Sequence, residues 1–211
     1  MTNAQTELCH TAQSFYDRGY AFGSTGNLSI RDGDGIWITP TGKPLHNLTP
    51  DHLAHVSLDG TLRSETRPSK ELPFHLGIYR RRPDARAIVH LHSTYSVALS
   101  CLPKITEANP MPALTPYFFM RVAPLGIVPY FRPGSAELAR AVEDKAPGHN
   151  CLLLRNHGLI TIGGEWNEAV DRAEELEETA KLFFILRGGP RQELTPDDLE
   201  DIAKAFPRKG R

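Results

Sequence analysis

The chain has 211 residues, of which 40% are apolar and 23% charged, and a formal net charge of −1. That length suits one domain, residues 1–211, with a sizeable core. Near-neutral charge without a basic block gives no ground for a nucleic-acid or membrane partner, and no apolar run approaches a bilayer span.

Asn3 to Arg18 predicts a helix closed by Gly19, behind an N-terminus without the basic-then-apolar pattern of a secretory signal. Asn27 to Ile30 and Ile36 to Thr39 flank Asp32-Gly33-Asp34-Gly35, a hairpin turn. Thr49-Pro50-Asp51 reads as a helix start, with Thr as N-cap and Pro at the first position. A second hairpin is expected from His55 to Leu58 and Thr61 to Arg63, turning at Asp59-Gly60. Pro68-Ser69-Lys70-Glu71 opens a helix to about Arg82, with Ser69 as N-cap and Glu71 in the first turn. Arg86 to Leu91 is a buried strand and Thr94 to Cys101 a helix. Pro103 to Pro124, with four prolines, reads as irregular, with Tyr117 to Met120 a short strand or helix. Ile127 to Phe131 is a strand, Ser135 caps a helix to about Lys145, and Cys151 to Ile162 holds two strands and a turn. Glu165 to Arg187 is a long amphipathic helix, and Thr195-Pro196 starts a last one ending near Phe206. Hairpins followed by mixed strands and helices predict an α/β fold, a largely antiparallel or mixed sheet with helices packed on it. No Gly-x-Gly-x-x-Gly follows the first strand and no Walker loop occurs, which argues against a nucleotide fold. Cys9, Cys101 and Cys151 are odd in number and far apart, so they read as free thiols in a reducing, cytoplasmic compartment.

His90 and His92 close the apolar run from Ala87. Residues two apart in a strand share a face, so two imidazoles emerge side by side, close enough for one metal ion. His157, in Asn156-His157-Gly158, again borders apolar runs. Three neutral imidazoles leave positions open on zinc, the arrangement of a catalytic site. The simpler alternative is that each histidine only packs at a sheet end. Glu71 suits a helix dipole, but beside a metal a carboxylate can also be a fourth ligand or a general acid/base. Three segments look suited to an anion. They are Gly26-Asn27 after Gly23-Ser24-Thr25, then Thr39-Pro40-Thr41-Gly42-Lys43, then Ser69-Lys70 at a helix N-terminus. Each alone is an ordinary turn or cap. Together with the histidines they suit an enzyme acting on a sugar phosphate.

Gly26-Asn27, Thr39 to Gly42, Ser69-Lys70-Glu71, His90-Leu91-His92 and Asn156-His157-Gly158 stand in an order and spacing that resembles the class II aldolase/adducin family, over about residues 6 to 206. The resemblance implies a central, mainly antiparallel sheet between helices, assembled as a homo-oligomer, usually a tetramer. It implies His90, His92, His157 and Glu71 around Zn2+ or another divalent metal, with Glu71 as catalytic acid/base. Gly26, Asn27, Thr41, Gly42 and Ser69 would cradle a phosphate, and Tyr117 would reach a neighbouring subunit's site. Lys70 stands where the aldolases usually carry serine, and the tail from Phe206 to Arg211 has no tyrosine. Lys70 and Thr-Pro-Thr-Gly-Lys43-Pro44 instead resemble the branch that decarboxylates 3-oxo-tetronate 4-phosphates. Lys70 would add a cation for a phosphorylated sugar-acid substrate. The expected reaction is loss of CO2 through a metal-stabilised enediolate to give dihydroxyacetone phosphate. A sugar-phosphate aldolase, a pentulose-phosphate 4-epimerase and a non-enzymatic adducin-like scaffold are the alternatives.

Overall fold

In the computed structural model, which describes residues 3–108 and 111–207, the hairpin forms as the sequence implies. Asn27–Asp32 (β1) and Gly35–Ile38 (β2) pair antiparallel with Asp32 opposite Gly35, and Gly33 takes φ +59° in the two-residue loop. Ahead of it, Asn3–Asp17 (α1) buries Leu8, Ala12 and Phe15. Ala54–Ser57 (β3) adds to the far edge of β2. Then come Leu72–Arg81 (α2), Ala87–Leu91 (β4), Thr94–Ser100 (α3), Pro116–Arg121 (α4), Leu125–Val128 (β5) and Ala136–Lys145 (α5). Cys151–Leu154 (β6), Gly158–Gly163 (β7), Trp166–Ile185 (α6) and Pro196–Ala205 (α7) complete the order. One seven-stranded sheet results, in the order β3-β2-β1-β4-β7-β6-β5, antiparallel throughout except for the β5–β6 pair.

The alternation of the strands sends successive side chains to opposite layers. Leu28, Ile30, Val89, Leu91, Leu153 and Leu159 face α1 and α6. Ile36, Ile88, Leu152, Ile160 and Ile162 face α2 and α5. All five β4 residues are buried. Each large aliphatic side chain there contributes about 1.5–3 kcal/mol, so the central strand is a rigid base for what projects from its end.

Four local expectations are corrected. Thr49-Pro50-Asp51 starts only a 3-10 turn, Pro50–His52, because Leu53 and Ala54 are drawn into the core and β3. The second hairpin's return arm is reduced to one bridge, Val56 to Leu62, with Leu62 45% exposed and no buried face to hold it. The fifth strand ends at Val128, because Pro129 has no N–H for a ladder. Helix α2 begins at Leu72, and the N-cap position is Glu71, not Ser69; Pro73 suits the first turn, where no N–H is needed. Tyr117 to Met120 is resolved as helix, with the Thr115 hydroxyl accepting from Phe118 N–H. Among the described residues no helix is long and apolar enough to cross a membrane. The tail read as lacking tyrosine lies, from Arg208 to Arg211, outside the described residues.

Candidate metal centre

The next-to-last residue of β4 is His90, and His92 follows the strand's end. His90 shares the α2 layer with Ile88, two residues back, and its ring meets Phe74 edge-on at 5.4 Å. The β7 strand lies beside β4 with Leu159 opposite Leu91, so the residue just before β7 arrives at the same sheet end. That residue is His157. The turn that delivers it has Asn156 at φ +53°, a conformation asparagine tolerates, and closes with His157 N–H to the Leu154 carbonyl at 3.2 Å. Gly158 is required there, since a Cβ would collide with the Leu91 carbonyl.

Glu71 enters from the start of α2. Its Oε2 lies 3.2 Å from His90 Nε2, and its Oε1 lies 3.3 Å from His157 Nε2. His92 Nε2 is 3.0 Å from His90 Nε2. One donor atom from each of Glu71, His90, His92 and His157 lies within 4.8 Å of the others. Glu71 is 3% exposed and His90 fully buried.

Proton placement shows what this arrangement demands. The Leu159 carbonyl, 2.7 Å from His90 Nδ1, can only accept, so Nδ1 carries the proton. Nε2, on the other side of the ring, faces a second imidazole nitrogen and a carboxylate oxygen. Among the described residues Glu71 Oε1 and both His157 nitrogens have no hydrogen-bond partner. Burial depresses the histidines, holding His92 at about 3 and His157 at about 4, with His90 and Lys70 adding to the effect. They are neutral at pH 7, the form a metal requires. Burial opposes ionisation of Glu71, but contacts with His90, Asn27 and His157 outweigh it and hold the carboxyl below its ordinary range. Three imidazole nitrogens and a carboxylate oxygen converging on one point fit a divalent cation, and three N donors with one O donor suit zinc.

The anion-suited segments also converge. A bridge joins Pro40 to Pro68, Thr41 N–H donates to the Arg67 carbonyl at 3.2 Å, and Ser69 N–H to the Thr39 carbonyl at 3.1 Å. Thr41, Gly42 and Lys70 are exposed and Ser69 is buried, its hydroxyl accepting from Glu71 N–H at 3.3 Å. Gly26, φ +80°, lies against the main chain of His90, so this loop touches the metal-site strand directly. The Asn27 side chain is engaged within the protein. Nδ2 donates to Glu71 Oε2 at 2.8 Å and Oδ1 lies 2.6 Å from His75 Nε2, which leaves the main chain of this turn for an anion. Tyr117 is not part of the cluster; it stands on α4, 55% exposed, with Arg121 over its ring.

Two residues behind the site escaped the sequence reading. His75 is fully buried and bonded to Asn27 and Ser29. Its spacing of four from Glu71 was a usable signal, as were the polar Asn27 and Ser29 alternating with the apolar Leu28 and Ile30. Glu177, on α6, is also buried. It accepts from Tyr95 N–H, Ser96 N–H and the Ser96 hydroxyl, which caps α3 just beyond His92.

A mainly antiparallel sheet with three histidines and a glutamate gathered at one end has the architecture of a class II aldolase. The chain belongs to the class II aldolase and adducin family, whose N-terminal domain model matches residues 6–184. It is 44% identical over 201 residues to the 3-oxo-tetronate 4-phosphate decarboxylase of Haemophilus influenzae, covering 94% of this chain and 96% of that one. It is 39% identical over 181 residues to an L-fuculose phosphate aldolase of Methanococcus maripaludis, covering 86% and 96%. The crystal structure of YgbL from Escherichia coli superposes with a TM-score of 0.90 at 43% identity, covering 94% and 96%.

Proposed function

We propose that this protein is a zinc-dependent decarboxylase of a 3-oxo-tetronate 4-phosphate, releasing CO2 and leaving dihydroxyacetone phosphate. The observation that carries the reading is the convergence of donor atoms from Glu71, His90, His92 and His157 within 4.8 Å of one another, with Ser69 of the Pro40–Pro68 paired loops bonded to Glu71 N–H. The likeness to the Haemophilus influenzae decarboxylase supports the choice of reaction. A divalent cation held by the three histidines and Glu71 supplies Lewis-acid stabilisation for negative charge developing on the substrate.

The chain's own residues do the rest. Gly26, the Asn27 main chain, Thr41, Gly42, Ser69 and Lys70 hold the phosphate, which fixes the other end of the molecule over the site. The C1–C2 bond then breaks, C1 leaves as CO2, and the electron pair stays on the C2–C3 unit. Glu71 rests ionised, takes up one proton from solvent in each cycle and passes it to C2. Assembly of four copies in the cytoplasm, with Tyr117 reaching a neighbour's site, completes the reading.

The Methanococcus maripaludis relative favours a second reading, cleavage of a sugar phosphate to an aldehyde. One experiment separates the two. Incubation with 3-oxo-tetronate 4-phosphate should release CO2 and dihydroxyacetone phosphate in equal amounts, while dihydroxyacetone phosphate with small aldehydes should give little condensation. Efficient condensation without CO2 release would replace the decarboxylase reading with the aldolase one.

A further inference from the structure

Behind Glu71 runs a buried chain of polar groups. Asn27 Nδ2 is 2.8 Å from Glu71 Oε2, and Asn27 Oδ1 is 2.6 Å from His75 Nε2. His75 Nδ1 is 2.7 Å from the Ser29 hydroxyl, which is 2.9 Å from the Tyr79 hydroxyl. Asn27, Ser29, His75 and Tyr79 are at most 4% exposed.

The donor in every link follows from the chemistry of the two ends. An ionised carboxylate only accepts, so the Asn27 NH2 faces Glu71 and its oxygen faces His75. That oxygen can only accept, so His75 Nε2 carries the proton. A second proton on a fully buried ring would need a charge partner, and among the described residues none is bonded to His75, so Nδ1 is bare and accepts from Ser29. Ser29 in turn accepts from the Tyr79 hydroxyl. Every hydrogen points toward Glu71, and links of one sense polarise each other.

We propose that His75 and Asn27, backed by Ser29 and Tyr79, are positioning residues that lock the Glu71 carboxylate through a one-way hydrogen-bond chain. Oε2 is held, so Oε1, which has no hydrogen-bond partner among the described residues, stays aimed at the site. Without the chain, Glu71 rotates about its last side-chain bond and the metal and the substrate lose a fixed ligand and proton donor. Outer groups of this kind typically change metal affinity or activity by about 10–100-fold. The inference rests on the role given to Glu71 under the proposed function.

The test compares His75→Gln, whose amide nitrogen reaches about where Nε2 stands, with His75→Leu, which fills the volume and offers no donor. Zinc affinity is read by chelator competition on the full-length protein, alongside kcat and KM. His75→Leu should weaken zinc and lower kcat, each about tenfold or more, with KM changed less than threefold. His75→Gln should recover most of both. Equal losses in Gln and Leu, or no loss in Leu, overturn the chain. Nitrogen NMR of the ring gives a reading independent of turnover: wild-type His75 should be the Nε2–H tautomer alone, and an Nδ1–H form refutes the assigned direction. Should His75→Leu not fold, Asn27→Ala replaces it, with the same weakening of zinc expected and an unchanged affinity refuting the inference. If Glu71→Gln turns over normally while the tautomer and zinc results hold, the failure lies with the catalytic role of Glu71 and not with the chain.

Discussion

Replacing Gly26 with alanine should injure this protein far more than the same change at Gly33, although both glycines have positive φ, +80° and +59°. The shared part is the left-handed backbone, which costs an alanine about 1–2 kcal/mol. At Gly33 nothing lies within 4 Å of the added Cβ. At Gly26 the Cβ would stand 2.9 Å from the His90 carbonyl oxygen and 3.3 Å from Leu91 Cδ2. That oxygen belongs to the central strand, which cannot yield, so overpacking adds about 1–3 kcal/mol. At about 2–4 °C per kcal/mol for a chain of this size, Gly33→Ala should lower Tm by about 2–8 °C and Gly26→Ala by about 4–20 °C. The second difference is functional. The clash displaces the main chain of His90, so Gly26→Ala should weaken zinc binding and Gly33→Ala should not. Thermal unfolding of both variants, with and without chelator, reads the two effects. Equal falls in Tm and equal zinc affinities would show that the approach of Gly26 to His90 contributes nothing.

Glu71→Gln should keep substrate affinity and lose about 10²–10⁴-fold in kcat; a near-normal kcat removes it from proton transfer. His157→Ala should lose bound metal, measured by elemental analysis of the purified protein, while keeping its fold; full occupancy sinks the ligand assignment. Lys70→Ser should raise KM more than it lowers kcat, and inorganic phosphate should inhibit wild type competitively; neither result is compatible with an irrelevant cradle. Burial holds His75 at about 3, below its unfolded value near 6.5. The unfolded chain therefore binds the extra proton first, and stability falls as pH drops from about 6.5 toward 3, by roughly 1.4 kcal/mol per unit for this one group. The acid slope of denaturant-measured stability should be shallower in His75→Leu, and identical slopes would refute the claim.

Much of this was legible from local pattern. The hairpin at Gly33, the caps at Ser135 and Thr195, and the long amphipathic α6 are decided by residues near in sequence, and the structure keeps them. Misread stretches were decided by distant partners. Leu53 and Ala54 match a helix start locally, but burial takes them into a strand edge. Ser69 has every local feature of an N-cap, yet its N–H is drawn to Thr39 across the paired loops and the helix begins later. At the site, His90 and His92 follow from strand periodicity alone. The commitment of Asn27 to Glu71 does not, because it depends on β1 and α2 crossing at one register. His75 was hidden for a different reason: a histidine among Phe74, Leu76 and Ile78 has the pattern of core packing, and only its partners distinguish it.

Glu177 gives the region around His92 an unusual dynamic character. Helix ends ordinarily fray, and their amides exchange with solvent through small local openings. Here the first amides of α3 are held by a buried carboxylate rooted in the middle of α6. Opening of the segment leaving His92 therefore has to break contacts with α6. In hydrogen exchange, the Tyr95 and Ser96 amides should be slower than those of an uncapped helix start, and Glu177→Gln should speed them.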